Sequence, residues 1–298
     1  MYKRQEYTSH VGSIVDRDSA EDVMRGVDAV IHSATLHKPH VATHSKQDFI
    51  KTNVTGTQNL LEAAAKNDVG AFIFTSTTST FGHAMKPAPG EPAVWVDEDL
   101  IPIPKNIYGV TKIAAENLCS LAYQEFDLNT IILKTSRFFP EDDDRKEVRD
   151  QYTDDNAKVN EFLNRRADIE DMVSAHLCAL DRAGEIGFGR YIISATPPFS
   201  REDCLALMED APAVVSRYCD FQGLYQEKNW SMYSAIERVY DNGRARKDLG
   251  WEPKYSFASV IDKLRRGGRP LSDLAYSIGK KGYHTETFDG DGPYPVSS

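Results

Sequence analysis

Residues 71–82 read AFIFTSTTSTFG. The first part, Ala71–Thr75, is a continuous apolar run rich in aromatic and β-branched residues. A strand covered on both faces reads this way; a half-exposed strand would alternate. The second part sets six Ser and Thr residues in a row, from Thr75 to Thr80, before Gly82. These hydroxyls can make a turn and a helix cap. They also stand at the C-terminal end of the strand, where open α/β sheets bind ligands.

Similar strands flank this one: Ala29–Ser33 (AVIHS) before it, Asn129–Leu133 (NTIIL) and Arg190–Ser194 (RYIIS) after it. Val11–Val15 (VGSIV) is a further short strand candidate. Helices are expected between them. One spans Ser19–Arg25, with Ser19 as N-cap. A second spans Gln47–Lys66, where Phe49, Ile50, Val54, Thr57, Leu60, Leu61 and Ala64 recur at helical spacing. Two more cover Ile107–Tyr123 and Asp168–Arg182. The stretch Phe81–Lys105, rich in Pro and Gly, reads as loop. This alternation predicts an α/β fold with a doubly wound parallel sheet and right-handed crossovers. After residue 195 the rhythm breaks. Residues 196–278 read as a smaller α/β lobe interleaved with the first domain, with Trp251 and Pro253 as packing residues inside it. The tail, 279–298, mixes Gly and Pro with polar residues and is expected to be poorly ordered.

The 298 residues are 41% hydrophobic and 27% charged, which is ordinary for a globular protein. A net charge of −10 excludes a general polyanion binder, so nucleic acid is not an expected partner. The four cysteines form no CxxC pair, which points to reduced thiols in a cytoplasmic protein. No apolar run approaches the ~20 residues of a membrane span. No metal site is expected: His32, His37 and His40 lack ligand spacing, and Asp142–Asp144 reads as a solvated acidic loop.

The informative chemistry is in NIYGVTK, residues 106–112. Tyr108 and Lys112 are four apart and share a helix face. A free tyrosine has a pKa near ~10, too high for a base at neutral pH. A nearby ammonium favours the phenolate. Such a tyrosine can take a proton from a substrate hydroxyl while hydride leaves the adjoining carbon. A bare YxxxK arises by chance in many helices; this one opens a helix one element after the hydroxyl-tipped strand.

The ordered set GSIVD, GVDAVIHSA, NVTGTQNLLEAA, FTSTTSTFG, NIYGVTK, RADIEDMVSAH and LGWEP resembles the extended short-chain dehydrogenase/reductase superfamily, in its NAD-dependent epimerase/dehydratase branch. The resemblance runs from about Val11 to Pro253, and the order and spacing of the motifs carry it. It implies a Rossmann-like domain over residues 1–195 and NAD, or NADP, as cofactor. Thr77, Tyr108 and Lys112 take the catalytic positions, with Ser76 as the nearest competitor to Thr77. Asn53 takes the place of an asparagine supporting the cofactor site and the lysine. Ala34, Thr35 and Leu36 form the loop along the nicotinamide ribose and pyrophosphate. Thr75, Ser76, Tyr108 and Lys112 join them at the cofactor, and Ser13 and Ile14 fall where the family meets adenine, Ser13 replacing an Asp. Arg137, Arg165 and Arg166 fall near the family's phosphate contacts and are the candidate substrate-binding residues, with a structural ion pair as the other reading of Arg137.

The resemblance also exposes a gap. The family opens with a strand and a glycine-rich turn that lays backbone amides against the pyrophosphate. This sequence contains no GxxGxxG. The match starts at the family's third strand, so the sequence reads as an N-terminally truncated record lacking the first βαβ unit. Met1–Gln5 (MYKRQ) resembles a translated library adapter. Without the first strands, Val11–Val15 and Ala29–Ser33 are expected either to pair or to leave an open edge.

The function expected on these grounds is an NAD(P)-dependent epimerase acting on a small molecule, a sugar nucleotide or a similar polyol. Alternatives are a reductase or dehydrogenase of a carbonyl or alcohol, and a non-catalytic dinucleotide sensor. A homodimer through the tyrosine-bearing helix is implied for the full-length protein, using Ile113, Ala114, Leu118 and Leu121. The truncated chain itself is expected to be inactive. Titrating NAD or NADP into this chain should give no saturation in the micromolar range; micromolar affinity would overturn that expectation.

Overall fold

The computed structural model describes residues 7–280 and 282. The expectations for Met1–Gln5 and for nearly all of the tail lie outside these residues. Four parallel strands build the main sheet: β1 (Ala29–His32), β2 (Ala71–Thr77), β4 (Thr130–Thr135) and β5 (Phe188–Ile193), in that spatial order. Every connection between neighbours carries a helix, as parallel pairing requires. β4 is buried at every position and β2 at all but Thr75. These are the central strands, which explains their unbroken apolar reading.

Side chains alternate between two covered faces. On one face Phe72, Phe74 and Ile132 pack under α3 (Gly56–Lys66) and α4 (Ile107–Phe126), against Leu60, Leu61, Ala115 and Cys119. On the other, Ile73, Ile131 and Leu133 pack under α7 (Ile169–Ile186), against Met172, Ala175 and Ala179. Trp251 belongs to this second face, not to the C-terminal lobe as expected. It follows α11 (Gly243–Leu249), is fully buried, and donates its indole N–H to Ser174 Oγ at 3.0 Å. The chain thus returns to the sheet after leaving it.

The lobe has its own core, in which Phe162, Leu207, Val214, Phe221, Tyr225, Phe257 and Leu264 meet. A two-stranded parallel sheet joins it to the earlier chain: β3 (Val94–Val96) pairs with β6 (Arg238–Tyr240). β3 lies inside the stretch expected to be loop. Three residues between prolines give no periodicity to read, and a partner some 140 residues away defines the strand.

Two expectations near the start are corrected. Val11–Val15 forms no strand. The first helix is α1 (Arg17–Val23), and its cap is Asp16, whose carboxylate accepts from the amides of Asp18 and Ser19. Among the described residues β1 has β2 as its one strand partner, so its other edge is open and Ile31 is 46% exposed. The open-edge outcome is therefore the one observed.

A buried polar cluster fastens α4 to the sheet. Glu116 accepts from Ser76 Oγ at 2.5 Å and from Lys134 Nζ at 2.8 Å, and Lys134 also donates to Thr80 at 2.9 Å. Both ionic side chains are 5% exposed or less. Removing one partner would leave the other charge buried and unpaired. Glu116→Ala should therefore lower the unfolding free energy by about 3–5 kcal/mol. Glu116→Gln combined with Lys134→Met should lose less than the single variant. Urea unfolding checks both; a single variant within about 1 kcal/mol of wild type would refute the role.

Candidate active site

Three elements converge at the C-terminal ends of β1 and β2. The first is the turn after β2. Thr77 ends the strand; its hydroxyl accepts from the Ser79 amide at 3.1 Å and lies near enough to Tyr108 to influence its phenol. Gly82 closes the turn at φ 55°; a Cβ there would stand 2.1 Å from the carbonyl oxygen of Ile103. Only glycine tolerates both constraints. Ser76 alternates to the other side, toward Glu116. Of the two candidate hydroxyls, Thr77 is the one that faces the tyrosine.

The second element is the start of α4. Asn106 caps it, accepting from the Gly109 amide at 3.2 Å. Tyr108 and Lys112 then project from one face, and both are buried. Lys112 Nζ donates to the Thr75 carbonyl at 2.7 Å and sits 3.9 Å from the Phe74 ring centroid. Burial pulls the Lys112 ammonium down to about 7, with Glu116 drawing it partly back. Burial also pushes the Tyr108 phenol up to about 12, with Thr77 opposing it. The expected lowering of the tyrosine by the ammonium is absent here, because Lys112 is turned to Thr75. At neutral pH the phenol holds its proton.

The third element is the loop after β1. Asn53 clasps it, accepting from the Leu36 amide at 2.7 Å and donating to the Leu36 carbonyl at 3.0 Å. Asn53 also donates to Thr111 Oγ1 at 3.1 Å. Its support thus reaches the residue beside Lys112 rather than the lysine itself. Asn53 sits in a π-helical turn, Ile50–Thr55, between α2 (Lys46–Phe49) and α3. Such single π turns recur at functional sites. Ala34 is exposed, and Thr35 and Leu36 are half-buried. Thr75 Oγ1 is bonded to His176 Nε2 at 2.8 Å, so only its carbonyl serves the site.

Sequence reasoning missed Phe139, and gave His37, which follows the cofactor loop, no role at the tyrosine. The His37 ring lies 6.2 Å from the Tyr108 ring and 6.4 Å from Phe139. Burial, Lys112 and His40 lower the imidazole to about 4, so it is neutral. Nothing in the spacing marks either residue; long-range folding brings them there. His32 is a packed strand residue, as read from sequence, bonded to Thr57 at 3.0 Å.

Ser13 and Ile14 lie apart from these three elements. Ser13 is exposed, and Ile14 packs onto Gly56, where a Cβ would meet its side chain at 2.6 Å. The following helix, α1, already has its first amides occupied by Asp16.

Arg137, Arg165 and Arg166 do not present free guanidinium groups. Arg137 contacts Asp143 at 2.6 Å and Glu161 at 3.3 Å. Arg165 contacts Glu161 at 2.6 Å and Asp143 at 2.8 Å, and Arg166 contacts Glu161 at 2.7 Å. The ion-pair reading of Arg137 is the one realised. The acidic run is likewise not a solvated loop: Asp143 is buried, and Asp144 pairs with Lys38. Among the described residues, no group of three His, Cys, Asp or Glu is arranged to hold a metal.

The NAD dependent epimerase/dehydratase family profile matches residues 2–193. A low-salt glycan biosynthesis protein of Haloferax volcanii, Agl12, is 25% identical over 269 residues, covering 84% of this chain and 78% of that protein. A dTDP-glucose 4,6-dehydratase of Streptomyces niveus is 31% identical over 130 residues, 43% of this chain and 37% of that protein. Among solved structures, RMD from Pseudomonas aeruginosa complexed with NADPH superposes with a TM-score of 0.58 at 21% identity, covering 85% of each chain. That last likeness is one of fold.

The buried lysine sets a pH signature. Its pKa is about 7 folded against 10.5 as the free group. Between those values the unfolded chain binds the extra proton, so stability rises with pH through this window. Below it the cost of burying the charge is present in full. Wild type should therefore gain on Lys112→Met as pH climbs from 7 toward 10.5, by up to about 1.4 kcal/mol per pH unit. Denaturant unfolding of both chains across that range checks this; a difference flat in pH refutes it.

Proposed function

The chain belongs to the NAD-dependent epimerase/dehydratase family, and from that membership we propose that it is an NAD(P)-dependent epimerase of a polyol-like small molecule, with Tyr108 moving the proton. One observation carries the reading. Thr77 stands close enough to Tyr108 at the sheet's C-terminal end to draw its phenol down, with buried Lys112 one turn along the helix.

The donor set fits the nicotinamide end of the cofactor. Lys112 and the loop of Ala34, Thr35 and Leu36, clasped by Asn53, would hold the ribose. Thr75 and Ser76 would contribute through the strand backbone, since both their hydroxyls are engaged elsewhere. The pyrophosphate end has no glycine-rich turn in this chain, and Ser13 and Ile14 offer no basic group. Weak cofactor affinity and low activity of this chain follow from that. When bound, the nicotinamide supplies hydride acceptance and return.

The protein's own groups handle the proton. Tyr108, protonated at rest, donates to the substrate oxygen when a carbonyl is reduced. When an alcohol is oxidised, the phenolate must form first, and Lys112 is the cation within reach. Thr77 orients the shared oxygen by its hydroxyl. The outer face of α4 leaves Leu121 and Phe126 exposed, which supports a homodimer through this helix. No helix among the described residues is long and apolar enough to cross a membrane, and all four cysteines are free, which supports a cytoplasmic protein.

A second reading, a dehydrogenase or reductase, is favoured by the engaged arginines. Returning hydride to the opposite face requires the intermediate to turn over while still anchored, and Arg137, Arg165 and Arg166 are already paired. At millimolar cofactor, an epimer formed without net reduced cofactor identifies the epimerase. Accumulating reduced cofactor identifies the dehydrogenase. In either mode Tyr108→Phe should slow turnover at least about 100-fold with the melting temperature unchanged. Turnover like that of wild type would overturn the role of Tyr108; cofactor binding by wild type with no turnover at all would favour a sensor.

A further inference from the structure

We propose that Lys38, Lys86, Lys105 and Arg238 form a phosphate-binding subsite beside Tyr108, in place of the three arginines to which the resemblance assigned that contact. That the phosphate belongs to the substrate rests on the placement of the reaction at Tyr108.

Four segments bring these cations together. Lys38 opens the helical turn after β1, next to His37, whose ring is 6.2 Å from the Tyr108 ring. Lys86 follows the turn after β2 that contains Gly82. Lys105 immediately precedes Asn106, the cap of α4. Arg238 opens β6 and pairs with Val94 of β3. The second and third segments are laced together: the His83 amide donates to the Ile103 carbonyl at 2.7 Å, and the Ile103 amide to the Phe81 carbonyl at 3.1 Å. Tyr240 links the fourth to the second. Its hydroxyl donates to Met85 Sδ at 3.2 Å, and the Arg238 guanidinium lies 6.0 Å from its ring centroid.

The protein does not neutralise this group. Among the described residues, no ion pair holds Lys86, Lys105 or Arg238, while Lys38 pairs with Asp144. Arg238 Nε is buried without an acceptor. A buried N–H left unpaired is costly, and a ligand oxygen would satisfy it. The crowding is felt at Lys105: burial, then Arg238, Lys38 and Lys86, pull its ammonium down, with Glu237 opposing them. In a chain of net charge −10, such a gathering of like charges is a local exception that an anion would relieve.

The charge balance selects the anion. Four cations face two carboxylates, Asp144 and Glu237. The surplus suits a phosphate, as monoester or diphosphate, better than a single carboxylate, and the arginine fork can meet two of its oxygens. Arg137, Arg165 and Arg166 are already taken by Asp143 and Glu161. An anchor away from them would hold a substrate by its phosphate while the reacting ring turns over.

The test is calorimetric titration of the chain with inorganic pyrophosphate, glucose 1-phosphate and UDP-glucose. Wild type should bind pyrophosphate saturably, with Kd below about 1 mM. Arg238→Gln should weaken it at least about tenfold. Lys86→Gln with Lys105→Gln, both at exposed positions, should do the same and serves where the arginine variant does not fold. Lys247→Gln, an exposed lysine on α11, should stay within about twofold of wild type. Tighter binding of glucose 1-phosphate than of UDP-glucose assigns the subsite to a phosphomonoester, and the reverse to a diphosphate; either preference should vanish in the double lysine variant. No saturable binding of any probe by wild type would overturn the inference. So would binding untouched by the double lysine variant, or weakened equally by Lys247→Gln. Binding is read without turnover, so the outcome for Tyr108→Phe does not decide it.

Discussion

The buried pair of Lys134 and Glu116 is the contact on which the geometry of this molecule turns. Lys134 lies in a fully buried central strand and Glu116 in the helix above it. Neither charge is tolerable alone at that depth. Together, with Ser76 and Thr80, they satisfy each other and fix the helix in height and rotation against two elements at once. Tyr108 and Lys112 lie on the same helix, two turns and one turn before Glu116. Their position over the end of β2 follows from where that pair locks the helix.

The same burial creates the chemistry and opposes it. A dry site strengthens every electrostatic interaction within it. It also raises the phenol of Tyr108 and lowers the ammonium of Lys112, so the free protein favours neutral forms of both. The lysine rests on a backbone carbonyl and an aromatic face, not on the tyrosine. At rest the phenol keeps its proton. Positive charge brought next to it would favour the phenolate.

Charge balance distinguishes two neighbourhoods of the molecule. The loop after β1 is shaped by neutral hydrogen bonds from Asn53. At Arg137, Arg165 and Arg166, three arginines are balanced by buried carboxylates. The first arrangement leaves backbone groups and a lysine to meet a ligand. The second rigidifies a wall.

Much of this was legible in the one-dimensional order of residues. The runs at 29–33, 71–75, 129–133 and 190–194 are unbroken and apolar because their strands are covered on both faces, and that covering specifies parallel pairing with helical crossovers. That Tyr108 and Lys112 share a helix face follows from helical spacing, and their place one element after the hydroxyl-tipped strand from motif order. Other features depended on partners distant in sequence. β3 exists because β6 lies beside it, and Trp251 joined the sheet because the chain returns there. Thr77 rather than Ser76 faces the tyrosine because strand side chains alternate, which needs the register to be known. His37 and Phe139 reached the site, and the arginines lost their freedom to Asp143 and Glu161, through contacts no local pattern encodes. Periodicity and spacing record which face of an element is buried. Which charges neutralise one another is set by distances across the fold.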